Sequence, residues 1–404
     1  MTVIEVLDKA SVENLFAPLS YAAERVIYIG RDRREIEREC RVYAALFAAR
    51  GMQTRVESVV VTPGDGAPEI LAALFHEPDS YLIDLAGGDE VLLFLLGQAV
   101  ERAKPAQVSL HYGSAPTHRF LSLDGAKPLS PREKNPSLSV EETVALHGGR
   151  VTGSTDVGAQ KLPADGIAAL LGDIDAMWRI SAADSSAWNR HANILSAFEA
   201  LGCRRGLSFS LTAQTARREK KENAYRQLCE FLPALAEAGL IEKLRIGGGA
   251  VAFAYKNRCV HACLCRAGLL LELKVYLSAL LAKNADGSPV FADARTGVVL
   301  DWDRRTRDAA TVNEVDVILT RGMIPIFISC KNGSVGEDEL YKLAAVAHRF
   351  GGRFAKKVLA ATGLSGNAQR DAYFTRRASE MGIAVWPDVH TLSQEEICAL
   401  LAAL

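Results

Sequence analysis

Between positions 314 and 331 the chain reads Glu314-Val-Asp316-Val-Ile-Leu-Thr-Arg-Gly-Met-Ile-Pro-Ile-Phe-Ile-Ser329-Cys330-Lys331, two apolar runs that each carry charge on alternate positions at one end. Side chains on a strand alternate between faces, so Glu314 and Asp316 share one face, Ser329 and Lys331 share another, and Cys330 points the opposite way into a core. A hairpin turning at Gly322 and Met323 sets Asp316 opposite Ser329 and Glu314 opposite Lys331, near enough to act as one site. Carboxylates and a lysine at the ends of such strands are costly to bury unless they pair or bind a cation. Hard oxygen donors suit Mg²⁺ or Mn²⁺, which lowers the pKa of a bound water and steadies charge on a phosphodiester, while Lys331 orients the attacking water or neutralises developing charge. A structural ion pair at the rim of a sheet uses the same residue types without a metal, and the hairpin taken alone favours that plainer reading.

A further acid lies upstream in Gly268-Leu-Leu-Leu-Glu272-Leu-Lys-Val-Tyr, on a helix. Helix and hairpin together resemble the PD-(D/E)XK nuclease superfamily, whose core sets an acid on a helix, an Asp on a strand and (D/E)-x-K on the next strand. The resemblance makes Glu272 the helical acid, Asp316 the strand Asp and Lys331 the lysine. It implies a metal held by Asp316 and Glu272, with the Cys330 carbonyl as a further ligand. The chain departs from the motif at Ser329, where the family carries a carboxylate, and Glu314 on the face of Asp316 supplies replacement charge. The helix from Glu337 through Arg349 is where the superfamily often places another polar catalytic residue, a role open to Glu339 or Tyr341. For Glu337 and Asp338 the ordinary preference of helix N-termini for acids suffices.

The elements before this site alternate strictly. Val3 to Leu7 precedes a helix from about Ser11, Val26 to Gly30 a helix through Arg50, Val56 to Val61 a helix at Pro68 to Phe75, and Tyr81 to Leu85 a helix at Glu90 to Val100, with Gln107 to His111 closing the series. Such alternation predicts a Rossmann-like parallel sheet covered on both faces, with ligands at the carboxyl ends of its strands. Two of those ends are marked by glycine, at Gly30-Arg31-Asp32 and at Asp84-Leu85-Ala86-Gly87-Gly88-Asp89-Glu90. Gly87 and Gly88 permit close backbone approach, and the amides opening the next helix offer an anion site. Alone, a Gly-Gly after a strand is more often a tight turn.

This segment resembles the CARF domain of CRISPR-linked effectors, whose loop after the fourth strand reads roughly Asn-x-Thr-Gly-Gly-Thr-Lys. The glycines match; the Thr and the Thr-Lys pair do not, which leaves Ser11 and Arg31 as candidate phosphate contacts beside Gly30, Ala86, Gly87, Gly88, Asp89 and Glu90. Ser11 is equally explained as an N-cap. Leu138-Ser-Val-Glu-Glu-Thr-Val-Ala-Leu-His147-Gly148-Gly149 is similar to the segment that closes this domain in CARF-fused PD-(D/E)XK nucleases of the Card/Can type, and the two ends in this order resemble that family over nearly the whole length.

The 404 residues, 49% hydrophobic, suffice for two or three domains. No apolar run approaches the roughly 18 residues of a membrane helix, and Glu5, Asp8 and Lys9 interrupt the first apolar run, so no signal peptide is read. Eight scattered cysteines point to a reducing cytoplasm. Cys259, His261, Cys263 and Cys265 would share one face of a strand, spaced too widely for one tetrahedral zinc, and read as buried small residues. Residues 1–150 hold 16 basic and 21 acidic groups, net −5, and residues 151–404 hold 31 and 27, net +4. That balance fits a C-terminal part meeting a polyanion, with Arg204, Arg205, Arg217, Arg218, Lys220, Lys221, Arg304, Arg305, Arg307, Lys356 and Lys357 as candidate contacts, although most basic runs are solvated faces.

The expected organisation is α/β throughout: a CARF domain at 1–150, a helical linker at 151–200, a winged-helix-like module at 201–258 turning on Gly247-Gly248-Gly249, and a restriction-endonuclease-like α/β/α domain at 259–404. The family resemblance implies a cytoplasmic homodimer whose paired N-terminal domains bind cyclic tetra-adenylate and whose C-terminal domains then cut DNA or RNA with Mg²⁺ or Mn²⁺ in type III CRISPR defence, the winged module acting as a spacer. The competing expectation is a ligand-sensing regulator that binds nucleic acid while the nuclease-like site, weakened at Ser329, is inert.

Overall fold

The computed structural model describes residues 1–9, 11–64, 66–77, 79–116, 119–122, 135–154, 164–301 and 312–404. Arg304, Arg305 and Arg307, candidates for polyanion contact, lie outside them. The first sheet is laid down by β1 (Thr2–Val6), α1 (Glu13–Tyr21), β2 (Arg25–Gly30), α2 (Arg33–Ala49), β3 (Arg55–Val60), α3 (Ala67–Ala72), β4 (Ser80–Asp84), α4 (Glu90–Ala103), β5 (Gln107–Ser114) and β6 (Arg119–Ser122). Its order is β3-β2-β1-β4-β5-β6, parallel from β3 to β5, with β6 running antiparallel to β5 at the edge. Successive residues supply opposite faces: Val3, Tyr28 and Leu82 pack with Leu15, Phe16 and Phe47, whereas Ile4, Ile29 and Ile83 pack with Leu71, Leu92 and Leu96. Burial on both faces is why these strands are continuous apolar runs. The chain leaves β1 toward β2 and returns from β3 to β4 on the other side, so β1 and β4 flank a topological switch point, where α/β sheets open a crevice.

After α5 (Val140–Leu146) and β7 (Arg150–Gly153), the long helices α6 (Ala164–Ala183) and α7 (Ser185–Glu199) lead to the middle module. It consists of β8 (Cys203–Arg205), β9 (Ser208–Thr212), α8 (Ala213–Arg218), α9 (Glu222–Glu237), β10 (Ile241–Gly247), β11 (Ala250–Tyr255) and α10 (Arg258–Cys265). The antiparallel sheet β10-β11-β9-β8 packs Phe209, Leu211, Val251 and Phe253 with Trp188, Phe198, Leu228 and Leu232 of α7 and α9.

The third sheet combines β7 with β12 (Asp293–Asp301), β13 (Val312–Arg321), β14 (Ile324–Lys331), β15 (Lys356–Ala361) and β16 (Ile383–Trp386), in the order β16-β15-β14-β13-β12-β7. α11 (Leu269–Leu281) and α14 (Gln394–Ala402) cover one face; α12 (Glu337–Gly351), α13 (Ala368–Glu380) and α5 cover the other. β13 and β14 form the expected hairpin, paired from Val317↔Ile328 to Arg321↔Ile324 and turning at Gly322, whose φ is 58°. The tip of that hairpin is buried elsewhere: Met323 and Ile324 join the core beneath β1 and β2, and the Leu138 amide donates to the Gly322 carbonyl at 3.0 Å. The ladder therefore carries Asp316, Ser329 and Lys331 at one end and is anchored in the first domain at the other.

Candidate functional site

At the open end of the hairpin the strands part, and Asp316 is the residue at the fork. Pairing of β12 with β13 passes over Asp316, which faces Gly297 in the left-handed region (φ 56°), and the Thr296 hydroxyl donates to the freed Asp316 carbonyl at 3.1 Å. A local break of this kind re-aims a side chain out of the pleat. Asp316 Oδ2 accepts from the Cys330 amide at 2.6 Å and the Ser329 hydroxyl at 3.2 Å, and lies 3.8 Å from Lys331 Nζ. Lys331 is shared with Glu339 in the first turn of α12, at 3.0 Å, and Glu339 also accepts from Lys342 at 2.8 Å.

The electrostatics suit a cation among these carboxylates. Burial, with the nearby Asp316 and Glu314 carboxylates, pushes Glu272 up to about 7, Lys331 and Arg266 only partly opposing it. Burial likewise holds Asp316 above the usual carboxylate range despite Lys331 and its two hydrogen bonds. Burial pulls Lys331 down, but Asp316 and Glu339 outweigh it and raise the ammonium. Glu339 goes the other way: despite burial, its bonds to Lys342 and Lys331 keep it ionised below the normal value. Glu272 and Asp316 are therefore oxygen donors whose ionisation the fold resists, as suits residues that could share a hard divalent ion. The exposed Glu314 contributes through its charge. Ser329 donates to Asp316 instead of supplying charge, and Cys330 gives its amide while its thiol is buried and pushed far up.

Two positioning residues were not foreseen. Asn332 Nδ2 donates to the Ala267 carbonyl at 2.8 Å and its Oδ1 accepts from Thr362 Oγ1 at 2.8 Å, tying the end of β14 to the turn that starts α11 and so setting Lys331 relative to Glu272. The only advance signal was an asparagine directly after the motif lysine.

The second site opens at the switch point of the first sheet. A cavity of about 310 Å³ is walled by Leu7, Asp8 and Lys9 after β1, Gly30, Arg31 and Asp32 at the end of β2, and Gly88 and Asp89 after β4, with Arg353 reaching in from the turn that follows α12. Gly30, Arg31, Gly88 and Asp89 are thus brought together as foreseen, whereas Ser11, Ala86, Gly87 and Glu90 are not among the walls. Ser11 is not the N-cap either: Val12 holds that place without a side-chain bond, and Ser11 bonds the Tyr43 hydroxyl. The Ala86 amide is turned inward to Asp84 Oδ1 at 2.9 Å, Glu90 is exposed on α4, and Gly87 lies beneath Asp8, where a Cβ would fall 2.7 Å from Asp8 Oδ2.

The expected helix-terminal anion site needs correction. Asp89 caps α4 by accepting from the Val91 and Leu92 amides at 3.0 and 3.1 Å, and Asp32 caps α2 in the same way. Those amides are already committed to carboxylates, as is Arg31, whose Nη2 lies 2.7 Å from Asp89 Oδ1.

In the cysteine-rich run, Cys263 is buried and Cys259 and Cys265 pack partly buried against the same core; Arg258–Cys265 is a helix, so Cys259 and Cys263 face one way and His261 and Cys265 another. His261 and Cys265 meet Glu199, their ligand atoms within 4.8 Å of one another. Arg204 occupies that corner, reaching Glu199 Oε2 at 3.1 Å and His261 Nε2 at 3.0 Å, and Tyr255 bonds Glu199 at 3.1 Å. A cation and a phenol already satisfy the group.

No family model matches the chain, and no curated protein matches it. Solved structures do. Protein VC1899 from Vibrio cholerae superposes with a TM-score of 0.68 at 16% identity, covering 100% of this chain and 97% of that one. Can2 from Sulfobacillus thermosulfidooxidans, solved in complex with cyclic tetra-adenylate, superposes with a TM-score of 0.63 at 15% identity over 99% of this chain and 97% of its own. From end to end, the chain has the fold of these two proteins.

Proposed function

We propose that the chain is a nuclease dependent on a divalent metal and switched on by a cyclic oligoadenylate, cyclic tetra-adenylate in the first instance, in cytoplasmic type III CRISPR defence. The observation that carries the reading is Lys331 held between Asp316 and Glu339, with Glu272 pushed up to about 7 beside them, at the open end of a hairpin whose other end is buried in the ligand-sensing domain. The shared fold with a protein solved in complex with cyclic tetra-adenylate supports a cyclic oligoadenylate as the activator. Two copies would pair their first domains around a two-fold symmetric ring.

Asp316 and Glu272 would hold Mg²⁺ or Mn²⁺, with the Cys330 carbonyl as a further donor; the ion would supply a nucleophilic water at neutral pH and charge stabilisation at the phosphate. Lys331 orients the water and offsets charge on the scissile phosphate. Glu339 fixes the ammonium and Ser329 fixes Asp316. The test is cleavage of labelled single-stranded RNA, single-stranded DNA and supercoiled plasmid with each metal, with and without cyclic tetra-adenylate, beside Lys331→Ala. Cutting that needs metal and ligand, and is lost in Lys331→Ala with binding intact, is the expected result; a fully active variant would refute the assignment. Ser329, which leaves one carboxylate fewer than the motif, is the observation favouring an inert nuclease-like domain in a ligand-sensing regulator that binds nucleic acid. Bound ligand and bound duplex without cleavage under any condition would select that reading.

A further inference from the structure

We propose that Arg353, contributed by the C-terminal domain, senses the ligand directly: its guanidinium exchanges the Asp8 carboxylate for a phosphate of the bound nucleotide, and α12 carries the displacement to Lys331. This rests on the sensor reading above and adds to it a residue that lies outside the sensor domain.

Asp8 sits where an anion belongs. Its Oδ2 accepts from the Gly88 amide at 3.0 Å, in a turn whose φ of 101° only glycine adopts freely. The main chain of Asp8 is pinned on both sides by Asn14, at 2.8 and 2.9 Å, so its backbone stays in place when the Arg353 guanidinium changes partner. A phosphate arriving at the Gly88 amide competes for the same donor and repels the carboxylate. Of the two cavity arginines, Arg31 is held at 2.7 Å by the capping Asp89, whereas Arg353 stands 4.0 Å from Asp8 with its side chain 58% exposed. Arg353 is thus the arginine that can change partners at least loss. It stays at the cavity mouth because its guanidinium lies over the Phe354 ring, 4.5 Å from the centroid, and Phe354 packs on the core of the first domain.

The connection to chemistry is short. Arg353 follows Gly352, the C-cap of α12, whose φ is 70° and where a Cβ would meet His147 Nε2 at 2.4 Å. Glu339, bound to Lys331 at 3.0 Å, stands in the first turn of the same helix. Fifteen residues of helix form a rod of about 22 Å, and a rod moves as a body, so displacement of its C-terminal end is delivered to Glu339 and the ammonium it holds. The ligand has unequal contacts with the two arrangements, as a switch requires.

The experiment uses full-length protein. Calorimetric titration with cyclic tetra-adenylate gives Kd, and cleavage at saturating ligand gives the activated rate, for wild type, Arg353→Ala, Arg353→Lys and Asp8→Asn. Arg353→Ala is expected to lose more than about tenfold in activated rate at saturation while binding weakens by less than that, the lysine variant to recover part of the rate, and Asp8→Asn to bind at least about threefold tighter because a competing anion is gone. An Arg353→Ala protein with wild-type Kd and wild-type activated rate overturns the proposal and leaves the sensor reading standing. A wild type that neither binds the nucleotide nor cuts with it overturns both. Unchanged melting temperatures of the variants exclude misfolding.

Discussion

Glu272 is the acid whose ionisation the fold opposes most legibly, and replacing it separates the cost of building the site from its use. Its carboxyl is raised from 4.5 to about 7, chiefly by burial and then by Asp316 and Glu314. A folded-state value above the unfolded one means that the folded chain prefers the protonated form: its contribution to stability is full below 4.5 and is lost as pH rises through about 7. At about 1.4 kcal/mol per pH unit, the interval from 4.5 to about 7 makes that loss about 3.5 kcal/mol. In the presence of a chelator, wild type is therefore expected to lose most of this, about 3 kcal/mol, between pH 4.5 and pH 8 relative to Glu272→Gln, the variant being the more stable protein above pH 7. Urea denaturation followed by tryptophan fluorescence measures the difference. Mn²⁺ should return the stability to wild type and give little to the glutamine protein, since binding to the folded state alone stabilises it. If Glu272→Gln were no more stable than wild type at pH 8 without metal, or followed the same pH profile, the picture of a carboxylate whose ionisation the fold resists would be wrong.

Other outcomes are expected on the same grounds. Ser329→Asp sets a third charge against Asp316, so the metal-free protein should lose more than about 1 kcal/mol at pH 8 and, with Mn²⁺ added, bind the ion more tightly; a melting curve with and without metal shows both. Gly88→Ala drives a Cβ to 2.4 Å from the Val6 carbonyl at a φ of 101° and should remove cyclic tetra-adenylate binding in calorimetry while Mn²⁺ uptake at the distant site persists. Glu5 is buried in the first sheet and held well above its ordinary range by burial and by Asp84. Glu5→Gln should leave stability unchanged near pH 4 and raise it at pH 8, because the proton that wild type must give up in that interval is replaced by a permanent neutral group.

The hairpin and its register were legible because they depend on neighbours in sequence. A strand repeats every two residues and Gly322 accepts the left-handed turn, so placing Asp316 opposite Ser329 needed no knowledge of the rest of the chain. The alternating strands and helices of the first domain were legible for the same reason, their apolar runs being long and uninterrupted. The helix-terminal anion site was misread although the signal was present: aspartate directly before a helix is a cap, and Asp32 and Asp89 consume the amides that a ligand would have used. The run from Cys259 to Cys265 was ambiguous because residues two apart share a strand face but not a helical one; it is a helix, capped by the Asn257 side chain.

What only the tertiary structure decided is what spans the chain. β7 pairs with β12, joining Val151 to Leu300 across the whole middle module. Arg353 stands over Asp8, and Met323 is buried in the core of a domain laid down some three hundred residues earlier. Such contacts follow from how sheets and helices stack once formed, through loop closures that no local periodicity encodes. The sequence by itself determined the chemistry available at each strand end; the fold determined which ends meet, how strongly burial perturbs their charges, and that one helix joins the two sites.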